Sequence, residues 1–234
     1  MDSTTRHPAG AAGGREVLAF DLYGTLVDPI AISGELSRLL GAAGGREAAG
    51  LWRAKQLEYT WLRSLTGRYE DFWSVTESAL TFACNSLGLA CPPGTRRELM
   101  ESYLHLDTFP EVKPALGKLA QYKLAILSNG SPRMLAATVE SAGLKSVFVD
   151  VISADEVKIY KSSPRVYGLI SKHLGMSTSA IAFVSSNFWD IAGAKSFGFW
   201  TCWVNRWSLP EDDLGITPDA TVDDLDRLIP VLEG

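Results

Sequence analysis

The chain is poor in the residues that staple small secreted domains or hold structural metals. Its 234 residues contain three cysteines, Cys84, Cys91 and Cys202. The odd count and the lack of any CxxC pair exclude a disulfide framework and a Cys-rich zinc site, and fit a reducing cytoplasm. Histidine is equally scarce: His7, His105 and His173 each stand outside any motif, so a Ser-His hydrolase would have no base. Basic charge is not concentrated anywhere, and the formal net charge of −5 gives no footprint for nucleic acid. No apolar run approaches the roughly 18–20 residues of a membrane span. Residues 1–14, small and Gly/Ala-rich without the apolar segment of a signal peptide, are expected to form a disordered tail. What remains is an ordinary globular composition, 46% hydrophobic and 21% charged, of a length for one large domain or one domain with an insert.

The stretch 16–28, EVLAFDLYGTLVD, is the most informative. Val17, Leu18, Ala19 and Phe20 form the continuous apolar run of a strand buried on both faces. The run ends in a carboxylate, Asp21, followed by Leu22-Tyr23-Gly24-Thr25. An acid at the carboxyl end of a buried parallel strand stands where open α/β sheets place their chemistry. The same acid also serves as a helix or turn cap, so Asp21 alone decides nothing.

Helical spacing then dominates for about eighty residues. Helices are predicted over Ser33–Leu40, 46–66, Asp71–Leu87 and Thr95–Tyr103, with no strand between Ile32 and Phe109. From Glu111 onward helices and strands alternate. The strands are placed at Lys123–Leu127, Phe148–Ile152, Ile181–Val184 and Trp200–Val204. Helices are placed at Pro132–Ala142, Pro164–Leu174 and Trp189–Phe197. Such alternation predicts an α/β fold: a doubly wound, Rossmann-like parallel sheet core, residues 15–31 plus 112–234, with a helical cap, 32–111, inserted after the first strand.

Small polar residues follow the predicted strands: Asp21 the first, Ser128 and Asn129 the second, Ser185, Ser186 and Asn187 the fourth. Parallel strands end on one edge of the sheet, so these groups converge on one crevice, within reach of Lys161 after the third strand. Each is also ordinary turn or cap chemistry taken singly.

In these segments the chain resembles the haloacid dehalogenase superfamily. The resemblance rests on Asp21-Leu22-Tyr23-Gly24-Thr25, Ser128-Asn129, Lys161 and Ser185-Ser186-Asn187-Phe188-Trp189-Asp190, in that order. Within the superfamily the chain is most similar to the L-2-haloacid dehalogenases, because the helical insert carries Leu51-Trp52-Arg53 and Tyr59-Thr60-Trp61-Leu62-Arg63. Phosphatases of the superfamily carry a second Asp two residues after the nucleophile, to protonate an alkoxide leaving group. Here that position is Tyr23, and a halide needs no proton. They also hold Mg²⁺ with acids near the fourth strand; here Ser186 replaces one of them, and no metal or other cofactor is expected.

The resemblance implies that Asp21 attacks carbon 2 of a short L-2-haloalkanoate, releasing halide and forming an aspartyl ester that water opens to a D-2-hydroxy acid. It implies that Arg53 and Asn129 receive the halide, and that Ser128 and Thr25 hold Asp21 or the substrate carboxylate. Lys161, Ser185, Asn187 and Asp190 are to orient water and Asp21, with Tyr167 in the same site. Leu22, Tyr23, Leu57, Phe72 and Trp189 are to form the apolar wall. Arg53 also reads as a solvated helix charge, and Tyr167 as a core aromatic. Two departures stand out. Ala54 replaces a frequent Gln, expected to enlarge or dry the pocket, and Ser162 replaces a frequent Pro, expected to loosen Lys161. Relatives are commonly dimers, and Trp52, Trp61 and Trp73 are expected as exposed aromatics for a homodimer interface. The alternatives are a phosphatase or phosphonatase of the same superfamily, and a non-catalytic binding relative.

Overall fold

The computed structural model describes residues 14–41 and 45–233. The tail expected over 1–14 therefore lies, except for Gly14, outside the described residues. In chain order the elements are β1 (Val17–Phe20), α1 (Ser33–Leu40), α2 (Gly45–Leu65), α3 (Phe72–Ser86), α4 (Pro93–Ser102), α5 (Val112–Lys118), β2 (Lys123–Ser128) and α6 (Pro132–Ser141). They continue as β3 (Asp150–Ser153), α7 (Pro164–Leu174), β4 (Ile181–Ser185), α8 (Phe188–Phe197), β5 (Trp200–Val204), β6 (Ala220–Val222) and α9 (Leu228–Glu233).

The strands form one parallel sheet in the order β3-β2-β1-β4-β5-β6. The chain winds outward from β1 through β2 and β3, then crosses back to β4, so β1 and β4 flank the point where the winding reverses. The period-2 alternation of strand side chains divides β1 between two apolar layers. Leu18 and Phe20 join the layer containing Ile126 and Val184, and Val17 and Ala19 join the layer containing Ile181 and Phe183. The first layer runs on without a break into the helical segment, taking in Trp52, Phe72, Val75 and Tyr103. Helices α1–α4 pack on one another, α2 on α3 most extensively.

Several boundaries differ from the expectation. The third strand is Asp150–Ser153 rather than Phe148–Ile152. Phe148 instead turns its ring edge onto Phe20, with centroids 6.1 Å apart, and Val149 is exposed. Asp71 caps α3 from outside, accepting from Ser74 N at 2.8 Å. The edge strand β6 and helix α9 were not anticipated: three residues, Ala-Thr-Val, are too few to show a period. Trp52 is not an exposed aromatic. It is 1% exposed and donates from Nε1 to the Thr76 carbonyl at 2.8 Å. Trp61 is exposed, whereas Trp73 is half-buried, its ring covered by the Arg133 guanidinium.

Candidate active site

Asp21 follows β1 directly, its backbone N–H donating to Val184 O at 3.0 Å and tying it to the neighbouring strand β4. The chain then turns through Gly24, whose φ of +92° is open to glycine at little cost. A Cβ there would also meet the Asn187 side chain at 3.4 Å. Both oxygens of the buried Asp21 carboxylate are held. Lys161 Nζ donates to Oδ1 at 3.0 Å, while Asn187 Nδ2 at 2.7 Å and Thr25 Oγ1 at 3.2 Å donate to Oδ2.

Lys161 is fully buried and also donates to Asp190 Oδ2 at 2.8 Å, so its ammonium stands between two carboxylates. Burial alone would lower its pKa, but Asp190 and Asp21 outweigh that and raise it, keeping it charged. Burial, and then the Asp21 charge, push the Asp190 carboxyl up to about 6 despite the opposing pull of Lys161. Asp190 lies in the first turn of α8, and Tyr167 of α7 fixes it by donating to its Oδ1 at 2.8 Å. Tyr167 is thus both a core aromatic, edge-on to Phe183, and a partner of the site. It passes so close to α8 that a Cβ on Gly193 would lie 2.3 Å from its hydroxyl.

The remaining polar residues hold the loops. Ser185 Oγ lies 3.5 Å from Thr25 Oγ1 and accepts from Asn187 N at 3.1 Å, bracing the residues that hold Asp21. Ser128 accepts from Gly130 N at 3.2 Å, shaping the turn after β2. Asn129 Oδ1 accepts from Lys161 N at 3.0 Å, joining the ends of β2 and the Lys161 loop. Its Nδ2 makes no hydrogen bond among the described residues. Ser162, in the place of the frequent Pro, donates from its hydroxyl to Trp189 O at 3.1 Å, a tie between the Lys161 loop and α8 that a proline would lack. Ala54 is exposed on α2, next to Arg53.

Arg53 is half-buried rather than a free solvated charge, donating from Nη2 to Tyr23 O at 3.1 Å. Leu57 is one helical turn further along α2, on the same face. Tyr23 packs on Phe72 and Tyr103, with centroids 5.8 Å and 5.7 Å away. Its hydroxyl faces Thr138 at 3.5 Å, and burial drives its pKa above the usual phenol range. An acid so placed delivers no proton to a leaving group at Asp21. Leu22 is buried, and Trp189 is half-buried, edge-on to Trp61 with centroids 5.7 Å apart.

The model of a hydrolase family, the haloacid dehalogenase-like hydrolases, matches residues 16–198. The chain belongs to that family. It is 48% identical over 218 residues to an (S)-2-haloacid dehalogenase of Pseudomonas sp. (strain YL), covering 92% of this chain and 94% of that one. It is 44% identical over 216 residues to haloacetate dehalogenase H-2 of Moraxella sp. (strain B), covering 92% and 96%. Among solved structures it is similar to L-2-haloacid dehalogenase from Xanthobacter autotrophicus with chloropropionic acid covalently bound. There the TM-score is 0.89 at 36% identity, over 94% of this chain and 99% of that one.

Two residues around this family's site escaped the sequence argument. Gln56 is fully buried beside Arg53, and its signal was the spacing of Trp52, Gln56 and Thr60, all on the buried face of α2. Arg206 follows β5 by one residue beyond Asn205, so the same strand-end rule that pointed to Asn129 and Asn187 applied to it. Its guanidinium donates to Thr25 O at 2.8 Å, Ser186 Oγ at 2.6 Å and Glu111 Oε1 at 2.7 Å, and lies over the Phe109 ring. It pins the Gly24–Thr25 turn to the loop after β4.

Proposed function

We propose that the protein is a hydrolytic dehalogenase of short L-2-haloalkanoic acids, yielding D-2-hydroxy acids through a covalent ester on Asp21. The observation that carries this is the Lys161 ammonium standing between Asp21 and Asp190, combined with Tyr23 where an acid would serve a phosphate ester. The positive charge that two carboxylates need is supplied by a side chain, and the leaving group receives no proton.

In the first step Asp21 forms a C–O bond to carbon 2 as the C–halogen bond breaks, and the bonding pair leaves with the halide. Attack from the opposite side inverts carbon 2. Arg53 and the Nδ2 of Asn129 receive the halide, and Ser128 with nearby backbone amides receives the substrate carboxylate. Leu22, Tyr23, Leu57, Phe72 and Trp189 form the apolar wall that excludes water from this step. In the second step Asp190 takes a proton from water as the water oxygen attacks the Asp21 carboxyl carbon. Lys161, Asn187 and Thr25 stabilise the oxyanion that forms there. The bond from the carboxyl carbon to the carbon-2 oxygen then breaks, the departing alkoxide takes the proton back from Asp190, and the Asp21 acid loses the water's second proton to solvent, restoring the carboxylate. Burial raises the Asp190 pKa, which gives the base more proton affinity than an ordinary Asp while leaving it ionised at neutral pH. The helical segment α1–α4 acts as the cap over this site. Two copies associate through its exposed Trp61, Leu62, Leu65 and Phe82, and sedimentation at micromolar concentration checks for the dimer.

The test is halide release from each enantiomer of 2-chloropropionate in EDTA. Release from the (S) enantiomer alone, abolished in Asp21→Asn, is the expected result. Release that EDTA abolishes, or turnover of p-nitrophenyl phosphate with Mg²⁺ and no halide release, contradicts it.

A further inference from the structure

Gln56 is a neutral amide with no exposed surface, and its hydrogen bonds fix which way it faces. Thr76 Oγ1 donates its single proton to Phe72 O at 2.5 Å, so towards Gln56 it acts only as an acceptor. The Gln56 amide nitrogen must therefore face Thr76, and does so at 2.7 Å. That leaves Oε1 to accept from Arg53 Nη1 at 2.7 Å and from the Tyr103 hydroxyl at 3.2 Å. The flipped amide would set donor against donor at Arg53 and acceptor against acceptor at Thr76.

Arg53 is consequently gripped at both prongs of its fork, Nη1 on Gln56 and Nη2 on Tyr23 O. Tyr23 is two residues from Asp21, so the guanidinium is referenced to the same loop as the nucleophile. An ungripped arginine spreads over many rotamers and points its charge elsewhere much of the time. The neutrality of Gln56 also matters. A carboxylate here would also accept from Arg53 but would cancel its charge and lose the bond to Thr76, whereas an amide carbonyl orients Arg53 and leaves the full charge for an incoming anion.

We propose that Gln56 is a positioning residue that aims Arg53 at the halide leaving carbon 2, without neutralising it. This rests on the dehalogenase function proposed above. Gln56 acts through Arg53 and touches no reacting atom, so its effect vanishes when Arg53 is absent.

The experiment is a double-mutant cycle on single-turnover halide release from (S)-2-bromopropionate and (S)-2-chloropropionate. It uses wild type, Gln56→Met, Arg53→Ala and the double variant. Gln56→Met is expected to slow halide release about 10-fold in the Arg53 background and less than about 2-fold in the Arg53→Ala background, the signature of coupled residues. Gln56→Leu supplies the same cycle if Gln56→Met does not fold, and the isosteric Gln56→Glu is measured only with Arg53 present, since without it the buried carboxylate would have no cation. It is expected to lower kcat more than it raises KM, and more for chloride than for bromide, the weaker bond. Equal slowing with and without Arg53 would overturn the positioning role and show Gln56 to be merely structural. A wild-type enzyme that releases no halide would instead overturn the dehalogenase function, and this inference with it.

Discussion

Asp190 has its acid–base balance set by its surroundings. Burial and the Asp21 charge raise its pKa to about 6; in the ester that charge is gone, so the base of the second step, which must be ionised, titrates below that value. Turnover is therefore expected to fall as pH drops below about 6, with the covalent ester accumulating because the first step does not use Asp190. Rapid-quench mass spectrometry of the protein at pH 5 and pH 8 measures this; an ester that accumulates equally at both contradicts it. Tyr167 holds Asp190 through a hydroxyl that a methyl on Gly193 would strike. Gly193→Ala is thus expected to lower kcat by up to roughly 100-fold, as misplacements of about 1 Å can, with halide affinity unchanged. Steady-state kinetics with bromide as product inhibitor checks both parts. At this scale the sequence was legible where a residue follows a strand: Asp21, Asn187 and Asp190 are in place because β1 and β4 end beside each other. It was opaque for Gln56, whose partners Thr76 and Tyr103 lie on other helices.

Element by element, α7 is fastened at both ends. Its first turn follows the Lys161 loop, and near its last turn His173 bridges Asp150 of β3 at 2.9 Å and Glu156 at 2.7 Å, with Lys172 also on Glu156. The Glu156 contact, and after it Asp150, raise the His173 pKa against a smaller opposing effect of burial. A raised histidine pKa adds stability that is complete below the unfolded value of about 6.5 and is lost as pH rises through the native value. Thermal melting between pH 5.5 and 8.5 is expected to show that loss in the wild type and not in His173→Gln. On α3, Asp71→Ala removes the N-cap bond to Ser74 and is expected to cost about 1 kcal/mol in urea unfolding. Elements of this kind were read correctly where caps, glycines and prolines mark them, as at Pro164 and Gly175 of α7. The third strand was misplaced because Phe148 and Val149 are as apolar as strand residues, and register with β2 decides instead.

In the whole molecule, the alternation of helix and strand after Glu111 and its absence before were enough to give a doubly wound parallel sheet. Strand order was not in the sequence; the crossover from β3 back to β4 emerges only in the folded sheet. That crossover brings residues 21, 161, 187 and 190 into hydrogen-bonding reach of one another. Among the described residues no helix is long and apolar enough to cross a membrane. The account as a whole stands on an ester formed at Asp21, which a single turnover of (S)-2-chloropropionate in ¹⁸O-water examines most directly. If water opens the ester at the Asp21 carboxyl carbon, the label enters Asp21 and the lactate hydroxyl keeps ordinary oxygen. Label in the lactate hydroxyl after one turnover, with Asp21 unlabelled, would mean that water attacks carbon 2 itself and would contradict the covalent mechanism.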